Sequence, residues 1–363
     1  MMTWKRIVIK VGSALIAPER KGCSTKYLAG IAQFIIQCRQ QGVEVVLVSS
    51  GSVAAGGHLF SHSERSETTI KKAMAAAGQT AMMATWDSLF DFPSAQILLT
   101  QADLCDRDRY VSFRETLFSL LEHNIIPIVN ENDTVTCDET KVGDNDNLSA
   151  MVAAAAEADV LIICSDVDGL YNKNPNLHDD AELIAQVHQI DEKIYAMAGG
   201  ATSAVGTGGM LTKIEAAEKA TAHGIGTFII NGMKAEGFQK LAQGKNPGTL
   251  FLPYPEPMQE HVHWMTHTAV EQGEVIIESD AEIENGAPIT SNDVVEIRGE
   301  FSVGDTVLLR SNDGKRLAKA KANYSSCLLN FITDDENTSA LATQFEQRTG
   351  PILSDQNMAM LGD

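Results

Sequence analysis

Between Arg6 and Ile230, short β-branched runs alternate with longer segments of helical spacing, and that alternation constrains the chain more than any other feature. The predicted strands cover residues 6–10, 44–48, 95–99, 125–129, 160–164 and 227–230. The helical patterns between and after them cover 28–40, 70–90, 112–123, 148–157 and 213–223. Strands that alternate with helices need right-handed crossovers, which produce a mainly parallel sheet covered by helices on both faces. Such a sheet keeps its ligands beyond the carboxyl ends of its strands.

The rhythm stops near Leu250. Leu252-Pro253-Tyr254-Pro255-Glu256-Pro257 places three prolines where neither a helix nor a central strand tolerates them, so residues 253–272 are expected to be a connector. Beyond it, residues 274–277, 294–297, 306–309 and 317–320 read as short strands, and Asn312-Asp313-Gly314 is a hairpin signal. A chain of 363 residues at roughly 100 to 200 residues per domain fits this division. The expectation is an α/β domain over 1–252 and a small, mainly β domain over 273–363.

With 48 Asp and Glu against 28 Lys and Arg, the formal charge is -20, which argues against a general affinity for phosphate backbones. Any anion must be gripped locally. No charged leader followed by a long apolar run precedes Ile7-Val8-Ile9, and no apolar run approaches the ~18 residues of a membrane span. The six cysteines (Cys23, Cys38, Cys105, Cys137, Cys164 and Cys327) show no C-x-x-C spacing, as expected of reduced thiols. The expected compartment is the cytoplasm.

The chemistry is concentrated where strands end. Lys10-Val11-Gly12-Ser13, Ser49-Ser50-Gly51-Ser52, Asn130-Glu131-Asn132-Asp133 and Ser165-Asp166 each follow an apolar run. One such group is ordinary turn chemistry, but four on one sheet edge point to a site. Lys10 projects from the end of a buried strand, and Gly12-Ser13 lets backbone N–H groups approach an anion. Gly206-Thr207-Gly208-Gly209-Met210-Leu211-Thr212-Lys213 is a glycine-rich entry into a helix, a second place for phosphate. It matches neither a Walker A loop nor a G-x-G-x-x-G fingerprint. Two lysines and two backbone cradles suit a nucleoside triphosphate whose terminal phosphoryl group moves.

Gly143-Asp144-Asn145-Asp146-Asn147-Leu148-Ser149 precedes an alanine-rich helix. Capping accounts for one of these residues, with Asn147 or Asp146 expected as the cap. The surplus suits an amino acid's charged ends, and Asp146 suits either the ordering of two lysines or a magnesium ion. His261, His263 and His267 lack an H-E-x-x-H pattern, so no metal site is assigned, and Ser52 lacks the surroundings of a nucleophile elbow. Met74, Met82 and Met83 read as core.

Ile9–Ser13, Val48–Gly56, Val129–Asp133, Lys141–Ser149 and Gly206–Lys213 together resemble, in order, the signature blocks of the bacterial glutamate 5-kinase family within the amino acid kinases. The likeness covers about Lys5 to Phe251. It implies a three-layer α/β/α sandwich and transfer of phosphoryl from ATP, with Mg2+, to the γ-carboxylate of L-glutamate at the start of proline biosynthesis. It further implies that Lys10 and Lys213 neutralise the moving phosphoryl group and that Asp146 holds them. Ser50, Gly51, Asp133 and Asn145 would bind glutamate. Lys10, Ser165, Asp166 and the stretch Thr207, Gly208, Gly209, Met210, Leu211, Thr212 and Lys213 would bind ATP. A homo-oligomer (dimer or tetramer), proline as feedback inhibitor sensed near His58–Thr69, and channelling of product to glutamyl phosphate reductase are also implied. The family usually has threonine at the position of Ser165. A carboxylate acceptor is already ionised at neutral pH, so the lack of a well-placed histidine base fits this chemistry.

The tail resembles the PUA domain of these kinases. Gly299–Asp305 matches it, whereas Glu284–Ile289 stands where a Ser-Leu-Leu-Pro-like segment is usual. From Glu274 onward the tail carries 16 acidic against 7 basic residues, a poor match for RNA. The competing readings are a kinase of the same fold acting on acetylglutamate, aspartate, carbamate or UMP, and an RNA-binding or regulatory protein with a vestigial kinase domain.

Overall fold

The computed structural model describes residues 3–60, 66–136, 144–198, 209–278, 289–290, 293–333, 351–353 and 358–361. It divides into two compact units, Met1–Met258 and Gln259–Asp363.

The first unit is built on an eight-stranded sheet. Its strands are β1 (Arg6–Val11), β2 (Glu44–Ser49), β3 (Ser94–Leu99), β4 (Ile126–Glu131), β5 (Val160–Ser165), β6 (Gln186–Val187), β7 (Gly226–Asn231) and β8 (Thr249–Phe251). Their order is β3-β4-β2-β1-β5-β7-β8-β6, parallel throughout except for the β7–β8 pair. All six strands expected from the sequence are present, and only the two short ones at the β6 edge, β6 and β8, carry too little pattern to be foreseen. The helices are α1 (Ser13–Ile16), α2 (Thr25–Gln40), α3 (Ser52–Gly56), α4 (Glu67–Asp87), α5 (Gln101–Cys105), α6 (Arg107–Glu122), α7 (Asn145–Ala155), α8 (Glu192–Ala198), α9 (Met210–Ala222) and α10 (Ala235–Ala242).

The two-residue period of the strands decides what each face meets. Ile7, Ile9 and Val11 of β1 join Val45, Leu47, Ile126, Ile128, Ile162 and Ile230 in one core, under Ile31, Phe34 and Ile35 of α2, Trp86 of α4 and Phe238 of α10. Val8 and Lys10 therefore belong to the opposite face, where α7 and α9 lie side by side. Ala150, Ala153 and Ala154 of α7 and Ala216, Ala217 and Ala220 of α9 are all buried, and their small side chains allow this close packing.

β1 is central. The chain builds outward from it through β2, β4 and β3 on one side, and through β5 and β7 on the other. The carboxyl end of β1 is thus where the two halves meet, the position at which open α/β sheets bind ligands.

One expectation is corrected at α7. The helix starts at Asn145, and its cap is Asp144, whose Oδ1 accepts from the N–H groups of Asp146 and Asn147 at 2.9 and 3.0 Å. Neither Asn147 nor Asp146 is the cap. A side-chain oxygen satisfies the free N–H groups two and three residues further on, and only Asp144 stands at that spacing. Asp146 is thereby moved into the first turn, facing inward.

The second unit carries a five-stranded sheet, β10-β9-β11-β12-β13, made of β9 (Gly273–Ile277), β10 (Val294–Gly299), β11 (Thr306–Ser311), β12 (Arg316–Lys321) and β13 (Met358–Met360). All pairs are antiparallel except β9–β11. Val275, Ile277, Val307, Leu309, Ala318 and Ala320 alternate into its core. Helices α11 (Glu260–His267) and α12 (Ser326–Thr333) complete it. The β11–β12 hairpin turns at Asn312-Asp313-Gly314, with Gly314 at φ +95° and its N–H donating to Ser311 O at 2.9 Å. Glu284 and most of Asn330–Gly350 lie outside the described residues.

Candidate active site

Lys10 leaves β1 on the α7 side, so its ammonium reaches the first turn of α7. Its Nζ donates to Asp146 Oδ1 at 2.5 Å. Lys213, in the first turn of α9, donates to the other oxygen, Asp146 Oδ2, at 3.0 Å, and Thr212 Oγ1 donates to that same oxygen at 3.0 Å. Asp146 is wholly buried and each lysine is 6% exposed. Burial alone would raise the carboxyl pKa, but the two adjacent ammonium groups outweigh it and hold the value down at about 2. Two ammonium groups against one carboxylate give this trio one net positive charge, which suits an anion. Each oxygen of Asp146 thus lies against a lysine ammonium group. Among the described residues, no three His, Cys, Asp or Glu side chains come together as a metal-binding group. Cys164 sits beneath the site, and burial pushes its thiol up to about 12, so it is no nucleophile.

On the β2–β4 side lie the residues expected to bind the amino acid. Ser50 is buried, and its N–H donates to Val11 O at 3.0 Å, tying the end of β2 to β1. Gly51 has φ +100°, and a Cβ there would stand 2.8 Å from Ile16 Cβ, so the turn into α3 requires glycine. Asp133 accepts from Ser52 Oγ at 3.1 Å. Asn145 donates through Nδ2 to Asn130 Oδ1 at 3.0 Å, while Asn145 Oδ1 and Asp144 Oδ2 are buried acceptors with no donor. Buried acceptors seldom stay unpaired, so these two are open to a donor from a ligand.

On the β5–β7 side, Ser165 Oγ donates to Asp166 Oδ1 at 3.1 Å. Asn231, which ends β7, donates to Asp166 O at 3.4 Å and to Asp168 Oδ1 at 2.9 Å, and Lys234 reaches the same Asp168 oxygen at 2.6 Å. Gly209 precedes α9 and has no side chain with which to cap it, so the first-turn N–H groups depend on partners from outside the helix, which can include an anion. Lys213 also donates back to Gly209 O at 3.4 Å, and the single proton of Thr212 Oγ1 is shared between that carbonyl, at 2.9 Å, and Asp146 Oδ2. Met210 is buried and Leu211 exposed. Thr207 and Gly208 lie outside the described residues.

Three further positions in the hydrogen-bonding of this sheet edge are not distinguished by sequence alone. Asn130 belongs to the strand end Asn130-Glu131-Asn132-Asp133 but does not stand out from its neighbours there. Asn231 carries the same signal as Lys10, a polar residue closing an apolar strand. Gln79 lies mid-helix and gave no signal.

A doubly wound α/β unit with two lysines braced on one buried carboxylate at its switch point is the architecture of a phosphotransferase. A model described as the amino acid kinase family matches residues 5–231, and one described as the PUA domain matches 273–330. Glutamate 5-kinase 1 of Pseudoalteromonas translucida is 62% identical over 364 residues, covering 99% of this chain and 98% of the relative. Glutamate 5-kinase of Idiomarina loihiensis is 54% identical, covering 94% of each chain. That of Salinibacter ruber is 46% identical, covering 91% of this chain and 90% of the relative. The chain belongs to the amino acid kinase family. Along nearly its whole length it is similar to that family's glutamate 5-kinases.

Proposed function

We propose that this protein transfers the terminal phosphoryl group of ATP to the side-chain carboxylate of L-glutamate, forming L-glutamyl 5-phosphate and ADP, the first step of proline biosynthesis. The observation that carries the mechanism is the Lys10–Asp146–Lys213 arrangement, and relatives at 62% and 54% identity supply the substrate. A glutamate carboxylate oxygen forms a bond to the γ-phosphorus while the bond to the β,γ-bridging oxygen breaks, and ADP leaves with that electron pair. No proton has to be removed from the acceptor, so the site needs no general base. It needs two anions brought together and their charge neutralised, which is most of what phosphoryl transfer asks of a protein.

In this reading the residues divide by sheet half. Glutamate lies on the β2–β4 side with Ser50, Gly51, Asp133 and Asn145. ATP lies on the β5–β7 side with Ser165, Asp166 and the Gly209–Lys213 turn. Lys10 and Lys213 stand between the halves. Both oxygens of Asp146 are committed to ammonium and hydroxyl donors, so this carboxylate does not suit Mg2+. Magnesium is accordingly placed on the nucleotide as its counter-ion, and no step is routed through it.

A homo-oligomer, inhibition by proline and hand-over of product to glutamyl phosphate reductase are finer parts of this reading and rest on the family resemblance. One experiment tests the core: ADP release from ATP by the purified chain, with glutamate, aspartate, acetylglutamate or no acceptor, with and without proline. Glutamate-dependent release is expected, and release that ignores glutamate would sink the proposal.

A further inference from the structure

Asn130 is wholly buried at the end of β4, on the same face that Ile126 and Ile128 give to the core. All four hydrogen-bonding positions of its amide are taken. Its Oδ1 accepts from Glu131 N–H at 2.9 Å and from Asn145 Nδ2 at 3.0 Å. Its Nδ2 donates to Gln79 Oε1 at 2.9 Å and, more weakly, to Ser52 Oγ at 3.5 Å. A side-chain amide offers two donors and two acceptor sites, so Asn130 has nothing left for a ligand.

The sense of this network is set by a group that cannot flip. A backbone N–H only donates, so the atom beside Glu131 N must be Asn130 Oδ1. The partner at Asn145 must then be its NH2 group, which leaves Asn145 Oδ1 as the atom turned away, a buried acceptor with no donor. Ser52 receives from Asn130, so its own proton goes to Asp133, as the 3.1 Å bond from Ser52 Oγ to Asp133 Oδ2 shows. Of the side chains assigned to amino-acid binding, Asn145 and Asp133 are thus held as acceptors.

Gln79 stands behind Asn130. It is buried on α4, its Oε1 meets Asn130 Nδ2, and its own Nε2 donates to Gln96 Oε1 at 3.0 Å. It is delivered there by a close helix crossing: a Cβ on Gly78 would collide with Ser52 O, and one on Gly56 with Met74 O. Without Gln79, Asn130 Nδ2 would lose its strongest acceptor in a buried place, and the amide that orients Asn145 and Ser52 would lose one of its anchors.

We propose that Gln79, acting through Asn130, is a positioning residue that keeps Asn145 Oδ1 and the Asp133 carboxylate turned to the amino-acid site as acceptors and thereby selects for the α-ammonium group of the substrate. The inference rests on the glutamate reading above and adds how that site tells glutamate from the same diacid without nitrogen, glutarate.

The test is steady-state kinetics of wild type, Gln79→Met and Gln79→Glu, with glutarate as competing ligand and thermal melts as the folding control. Glutamate-dependent turnover by the wild type comes first, since its absence would defeat the functional reading rather than this one. Gln79→Met is expected to raise the glutamate KM on the order of tenfold, because a buried donor loses its partner. It should leave kcat and the ATP KM within about twofold and let glutarate compete better relative to glutamate. Gln79→Glu, which still offers Asn130 an acceptor, is expected to restore most of the glutamate affinity. An unchanged glutamate KM in Gln79→Met, an equal rise in the ATP KM, or a Glu variant no better than Met each overturns the proposal. Should Gln79→Met fail to fold, the exposed Gln96→Met removes the far support of the same chain. A smaller rise in glutamate KM is then expected, and none overturns the proposal.

Discussion

Lys10 Nζ lies 2.5 Å from Asp146 Oδ1 across 136 residues of sequence, and the opposite oxygen of that carboxylate receives Lys213 at 3.0 Å. One buried anion therefore fixes two cations whose backbones belong to different elements, a strand end and a helix start. The carboxylate keeps them apart from bulk water and from each other, so neither needs to be recruited when phosphate arrives.

Lys10→Ala and Lys213→Ala should each lower turnover by on the order of 100-fold or more, as the loss of one preorganised charge at the reacting group does. In each variant Asp146 retains one ammonium, so the fold should persist, as circular dichroism can verify. Wild-type turnover in both would refute the assignment.

Asp146→Asn should cost stability as well as activity, because two buried ammonium groups then lack their counter-charge. A loss of about 3 kcal/mol in urea unfolding is the expected scale for breaking a buried pair from one side. Acid adds a sign. The folded carboxyl value of about 2 lies below the ordinary 3.8, so its contribution is present above pH 4 and is lost as pH falls through 2. Over that window the wild type should lose ~2 kcal/mol more than Asp146→Asn does. Parallel acid limbs for the two proteins would contradict the arrangement.

Asp133→Asn and Asp166→Ala should separate the two halves of the site. The first is expected to raise the glutamate KM about tenfold and spare the ATP KM, and the second to do the reverse, each at the scale of one charged hydrogen bond. Initial rates with either substrate varied measure both. Interchanged effects would mean that the halves are assigned the wrong way round.

Gly78→Ala should destabilise by roughly 1–3 kcal/mol although alanine favours helices, since the added Cβ meets a carbonyl oxygen that α3 cannot easily move. Because α3 follows the Gly51 turn, the glutamate KM should rise with it. A thermal melt unchanged from wild type would show that the crossing has slack.

The strands of the first unit and the four strands that carry most of the second were legible because their patterns are local: an apolar run ending in a polar cluster needs only its own residues to be seen. Lys10, Asp146 and Lys213 were legible for the same reason, each standing where a buried element opens onto the sheet edge. The cap of α7 was not, because four adjacent residues could all serve and only backbone geometry selects Asp144. Gln79 was not either, since a glutamine in a helix looks the same whether it faces water or a buried amide.

By itself the sequence determined the alternation that makes a parallel sheet, the acidic background, and the few charged or glycine-rich strand ends where chemistry could sit. Tertiary structure decided which of these meet. It placed two lysines on the two oxygens of one carboxylate, and it gave Asn145 and Asp133 a single hydrogen-bonding sense through Asn130. Those decisions are long-range because burial turns each unpaired donor or acceptor into a cost, and only the folded chain brings its partner within reach.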